Sequence, residues 1–360
     1  MSDQPTSHSP LAAVSRIRFF AIVTLPAAVL MALEMVSSRL LAPEFGNSVY
    51  VWGSIIGVFL ATMSAGYWFG GRLADQHPNL VTLGGVLLAS GCFQALVLIF
   101  GRPATAWLGA VTGGSPEGVL VATFVLFGAP TVFLAMVSPF VVKIAADDLD
   151  ALGGTAGQLY ALSTGGSLVG TLGATFVLIP RMGLEPIFAL LLAATAVSAF
   201  LCLGPAWRTQ RLATVLGIAL QALAVIPDDL FRTTDLQVVA ERLSPYQTLR
   251  VVETGDMRYL YSDGALHASV DKRDGSSTMV YSKIAAAGLL LQPETKRLAV
   301  LGMGGGNVGR HLSDLVPSLE VDYVEVDPAI PELAETYLGF VPGPRHRVHV
   351  ADARRFLVDR

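Results

Sequence analysis

Long apolar runs separated by short polar breaks fill the first 230 positions of this 360-residue chain. Each run is about 20 residues long, which is the length of α-helix that crosses the hydrocarbon core of a bilayer. The pattern predicts six transmembrane helices, at Phe19–Leu41, Val49–Phe69, Leu80–Phe100, Val119–Ile144, Ala156–Ile179 and Pro186–Leu203. A seventh run, Leu212–Ile226, is shorter, so a span, a re-entrant segment and an interfacial helix all stay open.

After position 236 the apolar stretches become short, and turn residues separate them. The pattern predicts strands at Thr248–Glu253, Met257–Ser262 and Ala265–Asp271, followed by a helix over Ser277–Leu291. The rest reads as strand, glycine turn, helix and two more strands, at Leu298–Leu301, Gly302–Arg310, His311–Val316, Val321–Asp327 and Arg347–Ala351. A small antiparallel sheet is therefore expected before a parallel α/β unit.

The glycine turn is the main candidate for a binding site. Gly302, Gly304 and Gly306 lack a Cβ atom, so the backbone can turn sharply and approach a ligand. The following helix N-terminus offers free N–H groups. Glu325 lies about 20 residues further on, where a carboxylate accepts hydrogen bonds from ribose hydroxyls. This arrangement predicts an adenosyl ligand, and the alternative is a turn that only reverses the chain.

These patterns give the predicted fold class: a polytopic α-helical membrane domain, then a small antiparallel β-sheet, then an incomplete Rossmann-like α/β domain of the class I methyltransferase type. The predicted segments are a disordered tail at 1–15, a transmembrane domain of six or seven helices at 16–230, a small β-strand domain with its linking helix at 236–293, and at 294–360 the N-terminal half of the Rossmann-like domain.

Composition supports a membrane protein. The chain is 52% hydrophobic and 14% charged, with a mean hydropathy of +0.57, whereas soluble domains are about 25% charged. A net charge of -4 gives no basic surface for nucleic acid, which is excluded as a partner. Cys92 and Cys202 lie in apolar runs and predict neither a disulfide nor a metal site.

The side of the membrane follows from two considerations. Positive charges at the ends of seven spans would put the N-terminus inside and the glycine turn outside the cell. Adenosyl cosubstrates are made in the cytosol, so we adopt six spans, with Leu212–Ile226 not crossing. The prediction is an integral protein of a bacterial inner membrane, with the lipid bilayer as a partner and the soluble domain in the cytoplasm.

Several residues of the apolar runs invite a specific interpretation. Glu34 lies inside the first run, where an ionisable group marks a pathway or, more often, an internal ion pair or polar anchor, with Arg39 as the candidate partner. Gly166 and Gly170 predict a close helix–helix contact. Pro130 and Pro139 lie in the fourth run and predict kinks there, because proline cannot donate a helical hydrogen bond.

A set of short motifs, taken in order, carries a family resemblance. The set comprises Ser244–Gln247, Asp263-Gly264, Tyr281, the glycine turn, Val324–Asp327 and Asp352-Ala353. It resembles the spermidine synthase family of aminopropyltransferases, and the whole arrangement is similar to the membrane-fused form of that family. Leu33–Pro43 and Tyr50–Gly53 resemble the first two helices of the fused form.

The resemblance implies the cosubstrate, the acceptor and the site residues. The cosubstrate is decarboxylated S-adenosylmethionine or S-adenosylmethionine, with no metal, and the acceptor is a polyamine such as putrescine. Residues implied to bind the cosubstrate are Gln247, Gly302, Gly304, Gly305, Gly306, Asn307, Glu325, Asp352 and Ala353, and Tyr281 is implied to bind the acceptor. Glu325 would hold the ribose and Asp352 the adenine amino group. The catalytic base of the family would lie beyond Arg360, so the catalytic residue is unknown.

Three departures from the family pattern bear on the acceptor. Asn307 stands where the family has an acid, Ser282-Lys283 stands for His-Glu, and His267 replaces a glutamine. A lysine beside a diamine pocket repels its substrate.

Three functions stay open: a membrane-anchored aminopropyltransferase, for which it stays open whether this chain is active and complete; a methyltransferase on the same cofactor; and a transporter or sensor that binds an adenosyl ligand or a polyamine. Because a sheet that stops after three strands leaves one edge unpaired, we expect a missing C-terminal half or a partner, a homo-oligomer included.

Overall fold

The apolar runs of the N-terminal part form long helices. The structure, a computed structural model, describes residues 16–145, 152–204, 237–244, 246–262 and 265–358. In the first compact unit, Met1–Leu230, the helices are Arg16–Phe45 (α1), Val49–Gln76 (α2), Leu80–Thr112 (α3), Pro116–Ala135 (α4), Val137–Ala145 (α5), Leu152–Gly173 (α6), Ile179–Arg181 (α7) and Leu184–Leu203 (α8). Ser48, Asn79 and Ser115 start α2, α3 and α4, because each side-chain oxygen accepts a backbone N–H of the first turn.

Six helical segments of the described residues are long and apolar enough to cross a membrane, judged by length and composition. They are Ile17–Phe45, Val49–Gln76, Leu80–Thr112, Pro116–Ala145, Gly154–Arg181 and Leu184–Leu203. Each contains one of the six predicted runs or most of it. The predicted tail at 1–15 and the seventh candidate, Leu212–Ile226, lie outside the described residues.

The fourth predicted span is not one continuous helix. It is interrupted at Met136, between α4 and α5. Pro139 has no N–H to donate to the carbonyl of Ala135, so the helical hydrogen-bond pattern breaks just before the proline. Kinks were predicted at two prolines of this span. The irregular residue, Met136, lies three residues before Pro139, whereas α4 continues through Pro130.

The fifth span changes its winding before it ends. After α6 the chain passes through a π-helical turn at Ala174–Leu178 and then into α7. Pro180 cannot donate to the carbonyl of Phe176. The guanidinium of Arg181 donates instead, to the carbonyls of Phe176 at 3.2 Å and Val177 at 3.3 Å. A proline and an arginine together therefore explain the π turn.

Helices α1 and α6 lie in close contact at the predicted glycine pair. A Cβ atom at Gly166 would lie 2.4 Å from the backbone oxygen of Thr24, and one at Gly170 would lie 2.1 Å from that of Ala28. No side chain fits in either space. Backbone-to-backbone packing of this kind is common between transmembrane helices.

A buried polar network joins α3, α4 and α8. The hydroxyl of Ser90 donates to the carbonyl of Pro130 at 3.0 Å, and the amide of Gln94 donates to Ser90 at 3.2 Å and to Thr195 at 3.0 Å. All three side chains are buried. Hydrogen bonds satisfy these polar groups inside an apolar bundle.

The second compact unit, Phe231–Arg360, contains two sheets. The antiparallel sheet has the order β1-β2-β3-β4, with strands Gln237–Leu243 (β1), Thr248–Thr254 (β2), Met257–Ser262 (β3) and Ala265–Asp271 (β4). The parallel sheet has the order β5-β6-β7, with strands Arg297–Leu301 (β5), Glu320–Glu325 (β6) and His346–Val350 (β7). The helices are Val280–Ala285 (α9), Ala287–Leu291 (α10), Asn307–Leu315 (α11), Ala329–Tyr337 (α12) and Ala353–Val358 (α13).

The structure corrects several predicted elements of this unit. Strand β1 was not predicted. The helix predicted at about Ser277–Leu291 begins later, at Val280, because Ser277 forms a β-bridge with Val270, and it has one irregular position, Ala286, between α9 and α10. Helix α11 begins at Asn307, four residues before the predicted start.

One hydrophobic core serves both sheets. Leu249, Val251 and Leu260 of the antiparallel sheet and Val321 and Tyr323 of the parallel sheet belong to the same cluster of buried side chains. The shared core holds the two sheets together, and the candidate site is lined by residues from both.

The contact between α1 and α6 gives a stability prediction. We expect Gly170→Ala to lower the free energy of unfolding by about 1–3 kcal/mol, because the new methyl group overlaps the backbone of α1. Thermal unfolding of the detergent-purified chain, followed by circular dichroism, measures the change. Gly165→Ala is the matched control on the same helix, since a Cβ atom there meets no atom within 4 Å. Equal melting temperatures for the two variants would contradict the prediction.

Candidate functional site

The glycine turn forms an open bend after β5. Gly302, Gly304 and Gly306 have φ angles of 86°, 54° and 73°, which favour glycine. The N–H of Gly302 donates to the carbonyl of Val324 at 2.8 Å, so the bend begins beside the end of β6. A Cβ atom at Gly302 would meet no atom within 4 Å. This side of the bend therefore faces open space, where a ligand can approach the backbone.

The carboxylate of Glu325 holds the bend against the end of β6. Its Oε2 accepts a hydrogen bond from the N–H of Met303 at 2.9 Å, and its Oε1 accepts one from the N–H of Asp327 at 3.1 Å. The side chain is only 7% exposed. Each carboxylate oxygen accepts more than one hydrogen bond, so both keep capacity for ligand hydroxyls.

A cleft of about 490 Å³ lies over the bend. It is lined by Gly302, Met303, Gly304 and Glu325 together with Tyr246, Gln247, Leu266, His267, Tyr281, Val308, Val326 and Ile330. Its volume is in the range of small-molecule sites. Within the described part of the chain, Glu325 is the one carboxylate among the lining residues.

Gln247 is fixed in the wall of this cleft by hydrogen bonds at both ends of its amide. Its Nε2 donates to Oδ2 of Asp327 at 3.2 Å, and its Oε1 accepts from the hydroxyl of Ser262. Asp327 is fully buried and also accepts from the hydroxyl of Ser244 at 2.6 Å and from the N–H of Ala329 at 3.0 Å. The loop before β2 is thereby fastened to the end of β6.

Tyr281 and His267 form another part of the wall. The hydroxyl of Tyr281 donates to the carbonyl of His267 at 2.9 Å. This bond ties α9 to β4. Burial raises the pKa of the Tyr281 hydroxyl above its usual value, so the group stays a neutral hydrogen-bond donor at physiological pH.

A second cleft, of about 860 Å³, begins beside the first, and both are lined by Tyr246 and Val326. Asp352 lies in this second cleft, and its Oδ1 accepts the N–H of Arg355 at 3.0 Å at the start of α13. His349 and Phe356 also line it, with ring centroids 4.9 Å apart. Among the described residues, no group of three His, Cys, Asp or Glu side chains is arranged to hold a metal ion.

The structure thus brings six predicted residues to the clefts and leaves four aside. Those that line a cleft are Gln247, Gly302, Gly304, Tyr281, Glu325 and Asp352. Those that line neither are Gly305, Gly306, Asn307 and Ala353. A Cβ atom at Gly305 would lie 2.6 Å from Ala268, and one at Gly306 would lie 2.5 Å from the ring of Phe340. These two glycines allow close packing inside the protein.

Asn307 faces the antiparallel sheet. Its Nδ2 donates to the carbonyl of Ser269 in β4 at 3.3 Å, and the side chain is 3% exposed. Its Oδ1 has no hydrogen-bond partner among the described residues. Asn307 therefore connects the start of α11 to β4 and does not line the clefts.

Sequence reasoning missed several lining residues. Tyr246, His349, Arg355 and Phe356 were not assigned, and His267 was considered only as a difference from the family. Tyr246 directly precedes Gln247, so that motif contained the signal. His349 and Phe356 had no such signal, because they meet only when α13 folds back on β7.

Behind the site, Asp322 organises the other face of the parallel sheet. It is 4% exposed and accepts hydrogen bonds from Arg297 at 3.0 Å, Arg347 at 3.0 Å and His349 at 2.8 Å. Burial alone would raise its pKa. The hydrogen bonds from His349, Arg347 and Arg297 outweigh burial and hold the pKa well below its usual range. This carboxylate crosslinks all three strands.

Comparisons with known proteins give relatives but no family model, since no family model matches the chain. A polyamine aminopropyltransferase of Vibrio vulnificus is 34% identical over 126 residues, which is 33% of this chain and 42% of the relative. A polyamine aminopropyltransferase of Mycobacterium tuberculosis is 31% identical over 227 residues, which is 57% of this chain and 42% of the relative. The chain thus spans 42% of the length of each. These matches confirm the similarity to the spermidine synthase-like family.

The chain is also similar to a methyltransferase, the eEF1A lysine and N-terminal methyltransferase of Mus musculus. The two are 34% identical over 79 residues, which is 21% of this chain and 11% of the relative. Among solved structures, a probable spermidine synthase from Corynebacterium glutamicum matches with a TM-score of 0.30 at 18% identity, over 33% of this chain and 47% of that one.

The buried Asp322 gives a pH prediction. Its pKa is lower in the folded than in the unfolded chain, so it stabilises the fold at neutral pH, and this contribution is lost as the pH falls through the acidic range. We expect Asp322→Asn to cost about 2 kcal/mol at pH 7 and the gap from the wild type to shrink at lower pH.

Hydrogen exchange of the β6 amides in the whole chain, corrected for intrinsic exchange rates, measures this local stability. Asp314→Asn, which changes an exposed acid of α11, is the control and should leave exchange unchanged. A destabilisation by Asp322→Asn that is the same at pH 3, below the pKa of an unfolded aspartate, as at pH 7 would contradict the assignment.

Proposed function

We propose, on the premise that this chain is spermidine synthase-like, that it is a membrane-anchored aminopropyltransferase. It would transfer an aminopropyl group from decarboxylated S-adenosylmethionine to a polyamine such as putrescine. The observation that carries the proposal is the position of the Glu325 carboxylate, hydrogen-bonded to the bend at Met303 and lining a cleft above bare glycine backbone.

The residues present fit an adenosyl group. The open side of Gly302 gives a flat ligand access to the backbone, and Glu325 supplies acceptors for two ribose hydroxyls. Asp352, at the end of β7, has an exposed carboxylate for an exocyclic amino group in the second cleft. The two clefts adjoin at Tyr246 and Val326, so one extended ligand can occupy both.

The bound cosubstrate would supply a carbon made electrophilic by the adjacent sulfonium. The protein must hold the acceptor so that a neutral amine nitrogen lies in line with that carbon. Tyr281 and His267 line the same cleft as Glu325 but come from other elements, α9 and β4. The fixed Tyr281 hydroxyl offers a hydrogen-bonding position for the acceptor. No residue of the described chain is assigned as the base.

The membrane location is part of the proposal. Six segments have the length and composition of spans, and large apolar side chains are exposed on the outer surface of the first unit, among them Leu60, Trp68, Phe69, Phe124 and Val125. A soluble protein rarely exposes so much apolar surface. We place the helices in a bacterial inner membrane, with the second unit in the cytoplasm, where adenosyl cosubstrates are made.

A methyltransferase is the second candidate. The match to a lysine and N-terminal methyltransferase favours it, and so does the acceptor wall. The lining of the first cleft holds no carboxylate besides Glu325 among the described residues. Lys283, two residues after Tyr281 in α9, is exposed and does not line this cleft. A dicationic acceptor gains little from such a wall, whereas a methyl acceptor need not be charged.

Calorimetric titration of the detergent-purified chain separates the candidates. We expect tighter binding of decarboxylated S-adenosylmethionine than of S-adenosylmethionine. Tighter binding of the carboxylated form would favour the methyltransferase. Binding of neither would overturn both and leave a transporter or sensor.

Glu325 gives a sharper prediction within the same titration. Glu325→Gln should weaken nucleoside binding by about 10-fold or more, because each hydrogen bond to a charged acceptor contributes roughly 1.5–3 kcal/mol. Glu332→Gln is the matched control, since Glu332 is an exposed acid of α12 paired with Arg242. Unchanged affinity in Glu325→Gln, with a normal melting temperature, would remove the ribose assignment.

A further inference from the structure

A small cavity lies among α1, α2, α4, α5 and α6 of the helical unit. Four hydroxyl-bearing residues line it: Tyr67, Ser138, Ser163 and Ser167. The other lining residues are apolar, apart from the backbone. The cavity has a volume of about 40 Å³, which is room for a few water molecules or one small polar group.

The serine hydroxyls of this cavity have no hydrogen-bond partner among the described residues. Across the described residues, no hydrogen bond uses the hydroxyl of Ser138, Ser163 or Ser167. Ala135 also lines the cavity, and Pro139 has no N–H to offer to its carbonyl. Several oxygen atoms with free hydrogen-bonding capacity therefore converge in an otherwise apolar bundle, where such groups are costly.

Glu34 does not itself line the cavity, but it lies on α1 just beyond the residues that do. The α1 residues that line it include Ala27, Leu30 and Met31. With 3.6 residues per turn, Glu34 falls on the same helix face one turn further on. Helical side chains lean toward the N-terminus, which for Glu34 is the direction of Met31 and the cavity. None of the ion pairs given for the described residues of the helical unit includes Glu34.

We propose that this cavity binds a small monovalent cation, either an alkali ion or the terminal ammonium group of an amine, with Glu34 as its counter-charge. Hydroxyl and carbonyl oxygens coordinate hard cations and accept hydrogen bonds from ammonium groups. An ionised carboxylate among apolar helices requires such a partner. The cavity is too small for a nucleoside. The inference rests on the proposed membrane location and is independent of the transfer reaction.

The test is thermal unfolding of the full chain in detergent at constant ionic strength. N-methylglucamine chloride is replaced stepwise by sodium, potassium or methylammonium chloride. We expect a saturable rise in melting temperature, of about 4 °C at ten times the dissociation constant, for at least one of the three cations. Sodium or potassium as the active ion identifies an alkali site, and methylammonium identifies an amine site.

Variants assign the effect to the cavity. Glu34→Gln should abolish the cation-dependent rise in melting temperature. The double variant Ser163→Ala, Ser167→Ala should raise the half-saturating cation concentration at least several-fold. Glu117→Gln is the matched control, because Glu117 is an exposed acid in the first turn of α4. No saturable rise in the wild type, or an equal rise in Glu34→Gln, overturns the proposal.

A second measurement does not depend on the variants folding. Dicyclohexylcarbodiimide reacts with carboxyl groups in apolar surroundings, and mass spectrometry of the Glu34 peptide follows its modification in the wild type. We expect the active cation to slow labelling several-fold relative to N-methylglucamine. A labelling rate that no cation changes would mean that a proton alone neutralises Glu34, and the cation site would be excluded. Nucleoside titration of the same sample reports separately on the proposed transferase site.

Discussion

The hydrogen bond from the N–H of Met303 to Glu325 is the contact on which the candidate site depends. Glu325 and Asp327 place two buried carboxylates at the end of β6, where their desolvation must be offset by hydrogen bonds. The donors come from the glycine bend and, through Asp327, from the loop before β2 and the start of α12. The hydrogen bonds to these two carboxylates thus bring together the glycine bend, the loop before β2 and the start of α12, which are far apart in the chain. Residues of the bend and of this loop line the first cleft.

How far the site could be predicted depends on how local its causes are. The bend and Glu325 were predictable, because a strand, a glycine turn and an acid at fixed spacing lie within one β-α-β stretch. The orientation of Gly306 and Asn307 was not, since it is set by Phe340 and by Ser269, each more than 30 residues away in sequence. The glycine fingerprint therefore divides into a ligand-facing part and a packing part, and only tertiary contacts reveal the division.

The helical unit follows the same rule. Helix positions were predictable from hydropathy, because a helix satisfies its own backbone hydrogen bonds and needs only an apolar surface. Its irregular positions also have local causes. Pro139 has no N–H to donate to the carbonyl of Ala135, and Pro180 has none to donate to the carbonyl of Phe176. What sequence did not settle was the form of the irregularity. The first proline accompanies one irregular residue, Met136, which keeps helical dihedral angles. The second accompanies a π turn, where Arg181 donates to the carbonyls of Phe176 and Val177.

The two walls of the first cleft have different origins, and this bears on the reaction. The wall proposed to bind the nucleoside comes from β5, the bend and β6, and the chain is similar to both aminopropyltransferases and a methyltransferase. The other wall comes from β4 and α9, where the hydroxyl of Tyr281 donates to the carbonyl of His267. The proposed nucleoside wall would suit either chemistry, because both would use a sulfonium attached to adenosine. Under the proposed function, the choice of acceptor then falls to the wall formed by β4 and α9. Its described residues offer a neutral hydroxyl and an imidazole, so acceptor selection there would work by hydrogen bonding and shape more than by attraction between opposite charges.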